Sequence, residues 1–290
     1  MTPPLLPGIA PLAERYEGFV LDLWGVIHDG RQVFPWVNET LAQLKRAGKR
    51  IVLLSNAPRR VAVTEARNAA IGLDNGLVDG LMTSGEAAWT HLDGRPDAFY
   101  RGLGRNCLHI GSERDITARD GLEGYRFVES AEEADFLFNT GSAHEDGRAA
   151  IGEAPLEVAA RRRLPMVCAN PDKVVIVGGR MEECAGAIAA RYEALGGRVR
   201  YHGKPHAEIY EPVMALLDLP RERCLAVGDS MATDMRGAAN AGLDALFVVD
   251  GIHRSEIDPT ASGEPEPQRL AALAAHHGLR PVAAVHRFAW

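Results

Sequence analysis

Four short apolar runs, each broken off by a polar residue or a turn, constrain this chain more than any other feature. They occupy residues 19–21, 51–54, 224–227 and 245–249. Apolar runs this short and without alternation predict strands buried on both faces, as in a parallel sheet covered by helices. Helical patterns separate them. Val37, Leu41 and Leu44 recur at helix spacing, and Gly48 stands where a glycine closes a helix. Ile209, Val213, Leu216 and Leu217 form a second stripe; Met235, Ala238 and Ala239 open a third, stopped by Gly242. Strands alternating with helices imply an α/β fold with a parallel sheet.

The middle of the chain carries its own set. Strands are expected at 107–110, 126–128, 136–138 and 166–168. A helix is expected from near Glu182 to Leu195, with Cys184, Ile188 and Tyr192 on one face and Gly196-Gly197 behind it. Thr83 and Glu86 have capping-box spacing ahead of Ala87-Ala88-Trp89. The chain has 290 residues, enough for two domains. The expected division is an outer domain of residues 1–81 plus 199–290 and a second α/β domain inserted at 82–198. Residues 258–267 read as a polar loop, 269–277 as a short helix and 281–290 as a last extended segment.

Charge limits the partners. Lys plus Arg is 32 against 39 Asp plus Glu, a net of −7. Broad binding along a nucleic-acid backbone needs a basic face, so nucleic acid is excluded as the expected partner. One local cation and a helix N-terminus can still hold a small phosphate. The four cysteines, Cys107, Cys168, Cys184 and Cys224, form no Cys-x-x-Cys pair and read as reduced, buried thiols. No apolar run is long enough to span a membrane. The start lacks a basic segment and a long apolar segment, so the expected location is cytoplasmic.

The chemistry collects behind the strands. Asp22 follows the first run, Ser55-Asn56 the second, and Gly228-Asp229-Ser230 the third. In an open parallel sheet all carboxyl ends share one edge, where ligands bind. One Asp after a strand is most often a turn or cap residue; three polar strand ends on one edge are harder to dismiss. Two neighbouring carboxylates repel unless a cation lies between them, and hard oxygen ligands beside a phosphate-sized cleft favour Mg²⁺. Ser55 and Lys204, the latter in Gly203-Lys204-Pro205, can then hold phosphate oxygens. Glycine-rich alternatives fail: Pro205 stands where a P-loop needs Ser or Thr. Arg161-Arg162-Arg163 and His276-His277 read as solvated surface.

Asp22-Leu23-Trp24-Gly25-Val26, Leu54-Ser55-Asn56, Gly203-Lys204-Pro205 and Gly228-Asp229-Ser230 with Asp234 resemble the four ordered motifs of the haloacid dehalogenase-like superfamily. The insertion resembles the class IIA cap of nitrophenylphosphatase-like members, and Asn170-Pro171-Asp172 resembles a motif of that cap. The resemblance implies a Rossmann-like parallel-sheet core domain with an inserted α/β cap domain. It implies a Mg²⁺-dependent phosphatase for a small phosphorylated metabolite. Asp22 would be the nucleophile, Ser55 a donor to the phosphoryl group and Lys204 a steadying cation. Asp22, Asp229, Asp234 and the backbone oxygen of Trp24 would surround the metal. Asn56, Asn170 and Asp172 would face substrate. Gly25 would let the chain turn away from its strand. Caps of this size often pair, so a homodimer through the cap is an open expectation.

One departure matters. Trp24 stands where such phosphatases usually carry a second Asp, the acid that protonates the leaving alcohol. A subgroup of class IIA proteins begins with the same Asp-x-Trp-Gly-Val. Acid–base help is worth about 10²–10⁴ in rate, roughly 3–5 kcal/mol. The expectation is weakened rather than abolished catalysis, worst for alcohols that leave badly. His28 or Asp29 is a substitute acid, although a solvated turn is the plainer reading of both. Two alternatives stay open: phosphonate C–P hydrolysis, with Lys173 as the cap's one lysine, and a non-catalytic binder of Mg²⁺ and a phosphate ligand.

Overall fold

The computed structural model describes residues 2–141, 151–177, 180–258 and 266–290. They form two compact units, one of residues 2–55, 65–82 and 204–290, the other of residues 56–64 and 83–203. The second is mostly an insertion in the chain of the first. Strands β1 (Leu5–Leu6), β2 (Gly18–Leu21), β3 (Arg50–Ser55) and β4 (Gly80–Thr83) precede the insertion. Within it lie β5 (Asn106–Ile110), β6 (Arg126–Val128), β7 (Phe136–Asn139), β8 (Pro165–Cys168), β9 (Val174–Val177), β10 (Arg180–Glu183) and β11 (Arg198–Tyr201). Then come β12 (Cys224–Gly228), β13 (Asp244–Val248) and β14 (Ala283–Val285).

The first unit is a Rossmann-like sheet in the order β1-β14-β13-β12-β2-β3-β4. Its pairs β1 with β14, β14 with β13, β13 with β12, β12 with β2 and β2 with β3 are all parallel. Every residue of β2 and of β12 is buried, which is why both read as unbroken apolar runs. The chain leaves β2 toward β3 on one side and returns to β12 on the other. The strand order therefore reverses between β2 and β12, and their carboxyl ends flank the crevice where such sheets bind ligands.

The insertion holds a parallel sheet in the order β11-β8-β7-β5-β6, with an antiparallel hairpin of β9 and β10. Alternation sorts its core. Leu137, Met166 and Cys168 pack with Ile188 and Tyr192, whereas Phe136, Phe138 and Val167 pack with Leu92 and Tyr100. The fold class read from the sequence is the one observed.

Several local expectations are corrected. Glu182 and Glu183 belong to β10, where Glu183 pairs with Val174, and the helix begins only at Ala185–Ala194. Strand pairing overrides the helix preference of two glutamates. Leu216 is 37% exposed, so the stripe over Tyr210–Leu217 is narrower than its apolar residues suggest. A π-turn at Met231–Met235 comes before the helix Arg236–Asn240, because the Asp234 and Met235 amides both donate to the Ser230 carbonyl. The Thr83 hydroxyl accepts from the Glu86 amide as expected, but the Glu86 carboxylate turns to Arg60 and the Val61 amide instead of closing the box. Within residues 281–290 only β14 is strand. Most of the polar stretch 258–267 lies outside the described residues. No helix among the described residues is long and apolar enough to cross a membrane.

Candidate active site

Strand ends assemble the site in the first unit. Asp22 leaves β2 with its amide donating to the Val227 carbonyl at 2.9 Å, which locks it beside the end of β12. Asp229 follows β12 directly, and Asp234 returns to the same place through the π-turn. The three carboxylates offer oxygens that all lie within 4.8 Å of one another. The Lys204 ammonium sits among them, 2.5 Å from Asp22 Oδ1 and 2.6 Å from Asp234 Oδ1, and donates to the Leu54 carbonyl at 3.3 Å. Lys204 is only 4% exposed. Val20, Leu54 and Tyr210 complete the walls of a small pocket with Asp22, Lys204 and Asp234.

The electrostatics follow from burial. Burial first, then repulsion by Asp234, pushes the Asp22 carboxyl up to about 7 against the pull of Lys204. Asp229 is raised as well, first by burial and then by Asp234 and Asp22. Burial alone would lower the Lys204 ammonium, yet Asp22 and Asp234 overturn it and hold it above the ordinary lysine range. Ionising all three carboxylates against one ammonium would leave negative charge uncompensated out of water, which is why Asp22 and Asp229 are raised. A divalent cation relieves that excess, and the donor set is all hard oxygen, so the residues fit Mg²⁺.

Two close approaches keep room for Asp229. A Cβ on Gly25 would stand 2.0 Å from Asp229 Oδ2, and one on Gly251 would stand 2.1 Å from it. Gly25 also has φ +75°, the sharp turn that brings the chain off β2. The Ile252 amide donates to Asp229 Oδ2 at 2.8 Å. Asp234 is held at both oxygens, Oδ1 by Lys204 and Oδ2 by the Ser230 amide at 3.0 Å.

The predicted residues fall into two groups. Asp22, Lys204, Asp229 and Asp234 are brought together, with buried Ser55 closing β3, the strand next to β2. Trp24 is half-buried three residues past β2. In the second unit Asn56 Nδ2 donates to Asp172 Oδ1 at 2.9 Å, and the Asp172 amide donates to Asn170 Oδ1 at 2.9 Å, so Asn56, Asn170 and Asp172 form one chain of hydrogen bonds. Lys173 is exposed. Asp29 is the solvated turn expected, its Oδ1 accepting from the Arg31 and Gln32 amides. His28 is not: it is 3% exposed, with Nδ1 accepting from the Gly30 amide and its ring edge-on to Trp24. Burial, then Arg67, lowers it to about 4, so it is a neutral imidazole at physiological pH.

Tyr210, Gly251 and Ile252 went unrecognised in the sequence. Gly251 and Ile252 follow β13 closely, so the strand-end rule that found Asp22 and Asp229 also covers them. Tyr210 carries no such signal, because it comes from a helix behind Lys204.

Comparisons with known proteins agree with this geometry. A model of haloacid dehalogenase-like hydrolases matches residues 19–125, and a HAD-hydrolase-like model matches residues 201–281. The crystal structure of a haloacid dehalogenase-like hydrolase from Brucella suis superposes with a TM-score of 0.80 at 30% identity, over 98% of this chain and 99% of that one. D-glycerol 3-phosphate phosphatase of Mycobacterium tuberculosis is 26% identical over 243 residues, 83% of this chain and 65% of that protein. Human chronophin is 24% identical over 259 residues, 83% of this chain and 84% of its own.

Proposed function

The chain belongs to the haloacid dehalogenase-like hydrolases, and from that membership we propose a Mg²⁺-dependent phosphatase that cleaves small organic phosphate monoesters through an aspartyl phosphate on Asp22. The observation that carries the reading is the Lys204 ammonium bridging Asp22 Oδ1 and Asp234 Oδ1 inside a buried carboxylate cluster. Lysine at that place neutralises Asp22 on one oxygen and leaves the other for attack. Asp22, Asp229 and the Trp24 backbone oxygen would hold the ion, with Asp234 a further metal-side acid, directly or through water. When bound, Mg²⁺ neutralises phosphate charge and orients the phosphoryl group.

Asp22 attacks phosphorus, and the bond from phosphorus to the ester oxygen breaks. The departing alkoxide takes its proton from solvent, because Trp24 has none to give. Water then attacks the phosphoryl group, releases phosphate and restores the Asp22 carboxylate. Ser55 donates to a phosphoryl oxygen, and Lys204 stabilises the charge that grows there. Asn56, Asn170 and Asp172 are assigned to substrate binding. We assign residues 82–198 as the cap that chooses substrate, residues 1–81 plus 199–290 as the catalytic domain, and the Asp-x-Trp-Gly-Val subgroup of class IIA as its kin. A homodimer through the cap is part of the reading, and sedimentation tests it.

Without the second acid, good leaving groups are favoured. Nitrophenyl phosphate is expected to turn over faster than a sugar phosphate by about 10²-fold or more, in a Mg²⁺-supplemented panel of phosphorylated metabolites. Equal rates on both contradict the missing-acid argument, and no turnover on any ester overturns the phosphatase reading. The phosphonate alternative requires a desolvated lysine; Lys173 is exposed, so nothing favours it.

A further inference from the structure

Behind Asp229 lies a second layer of hydrogen bonds that the proposed chemistry does not use. The loop after β13 reaches Asp229 through the Ile252 amide, 2.8 Å from Oδ2. The next residue, His253, accepts at Nε2 from the Met231 amide at 3.3 Å, two residues beyond Asp229. That bond requires Nε2 to be the bare nitrogen, so the proton sits on Nδ1 and is donated to Glu256 Oε1, 2.6 Å away. The His253 side chain is 14% exposed, with the Phe247 and His277 rings 6.2 and 6.1 Å away between centroids.

We propose that His253, with its tautomer set by Glu256, is a positioning residue that ties the loop bearing Asp229 to the loop of Gly251 and Ile252. The inference rests on reading Asp229 as a metal ligand. Both loops meet Asp229, one by continuing its chain and one by the Ile252 amide. The His253 ring is a cross-brace between them, so the angle at which Asp229 presents its carboxylate depends on a side chain that does not touch it. The close approach of Gly251 to Asp229 leaves no room for a side chain at 251 to hold that distance, and His253, two residues on, supplies the tie instead. Outer partners of this kind are worth about 10–100-fold in metal affinity.

The test separates the brace from simple packing. His253→Leu keeps apolar bulk and removes the acceptor, whereas His253→Gln returns an acceptor oxygen near the place of Nε2. Calorimetric Mg²⁺ titration of the purified full chain, without substrate, is expected to show binding about tenfold weaker in His253→Leu and largely recovered in His253→Gln. Amide hydrogen exchange of Ile252 in EDTA is expected to quicken in His253→Leu and to recover in His253→Gln. Unchanged Ile252 exchange in His253→Leu overturns the proposal, as does a His253→Gln variant no better than His253→Leu. If the wild-type chain takes up no Mg²⁺, the metal reading fails while Ile252 exchange still judges the brace. Should His253→Leu fail to fold, Glu256→Leu at a mainly exposed position carries the test: it frees the tautomer, and a smaller rise in Ile252 exchange is expected, with no rise counting against the proposal.

Discussion

Replacing Lys204 by Met removes a charge from between two carboxylates and keeps most of the side-chain volume. Breaking a buried ion pair by deleting one partner typically costs about 3–5 kcal/mol, because the remaining charge is left without compensation. Here two carboxylates are left, Asp22 at 2.5 Å and Asp234 at 2.6 Å from the lost ammonium. The cost depends on pH with a definite sign. In the metal-free fold Asp22 is raised from 3.8 to about 7 even with Lys204 present. Between those values the folded chain binds more protons than the unfolded chain, so the wild type loses stability as pH rises through that window. Without Lys204 the folded value climbs further, and the loss continues above 7 at about 1.4 kcal/mol for each added unit. Below 7 the Asp22 part of the deficit disappears and the lost contact with Asp234 remains. Urea unfolding in EDTA at pH 6 and pH 8.5 measures both. The variant should be less stable by about 3 kcal/mol at pH 8.5, with a deficit smaller by about 1 kcal/mol or more at pH 6. A deficit that is the same at both pH values, or none at pH 8.5, refutes the reasoning.

Asp22→Asn should abolish nitrophenyl phosphate turnover and, in EDTA at pH 8, raise the urea midpoint, since the fold disfavours the charged form of Asp22; the two measurements together separate a nucleophile from a structural carboxylate. Gly25→Ala puts a Cβ 2.0 Å from Asp229 Oδ2 at φ +75°, whereas Gly48 at φ +71° has nothing within 4 Å of that position. Both should lose about 1–2 kcal/mol of stability to the left-handed backbone, but only Gly25→Ala should lose Mg²⁺-dependent turnover, and equal activity in the two sinks the close-approach argument. Trp24→Asp should raise the ratio of sugar-phosphate to nitrophenyl-phosphate turnover, read by phosphate release; an unchanged ratio means that another group already supplies the proton.

What the sequence made legible was whatever follows from strand ends. Asp22 and Asp229 can be placed on one edge from the order of residues alone, because β2 and β12 read as buried strands of a parallel sheet whose carboxyl ends all lie on the same side. The same logic stops where a side chain arrives from elsewhere. Lys204 precedes a helix, and only the folded chain brings its ammonium within reach of Asp22 and Asp234 together. Leu216 fits the helical stripe but faces outward, because periodicity gives the direction of a buried face and not its width. His28 sits in a His-Asp-Gly stretch that reads as a solvated turn. Asp29 obeys that reading, while the neighbouring ring turns inward against Trp24, a tertiary choice without a local signal. Glu182 and Glu183 favour helix by propensity and lie in a hairpin because β9 offers a partner.

Position 24 brings these levels together. The carbonyl that would face the ion belongs to the backbone, and its direction is set by the left-handed turn at Gly25 rather than by the side chain. The metal cluster can therefore persist with any residue at that position, and the absence of the second acid says nothing against it. The side chain has a different occupation. The indole meets His28 edge-on at 5.3 Å between centroids and lies so close to Gly30 that a Cβ there would stand 2.1 Å from it. Arg67 approaches the same ring at 6.0 Å and donates to the Gly30 carbonyl. Tryptophan thus closes the turn of residues 24–33 from above and shields a neutral histidine. On the proposed chemistry an aspartate at 24 would act as the proton donor, and at the same time it would uncover His28 and empty the space over Gly30. The proton donor and the closed turn compete for one side chain, and this chain has kept the turn.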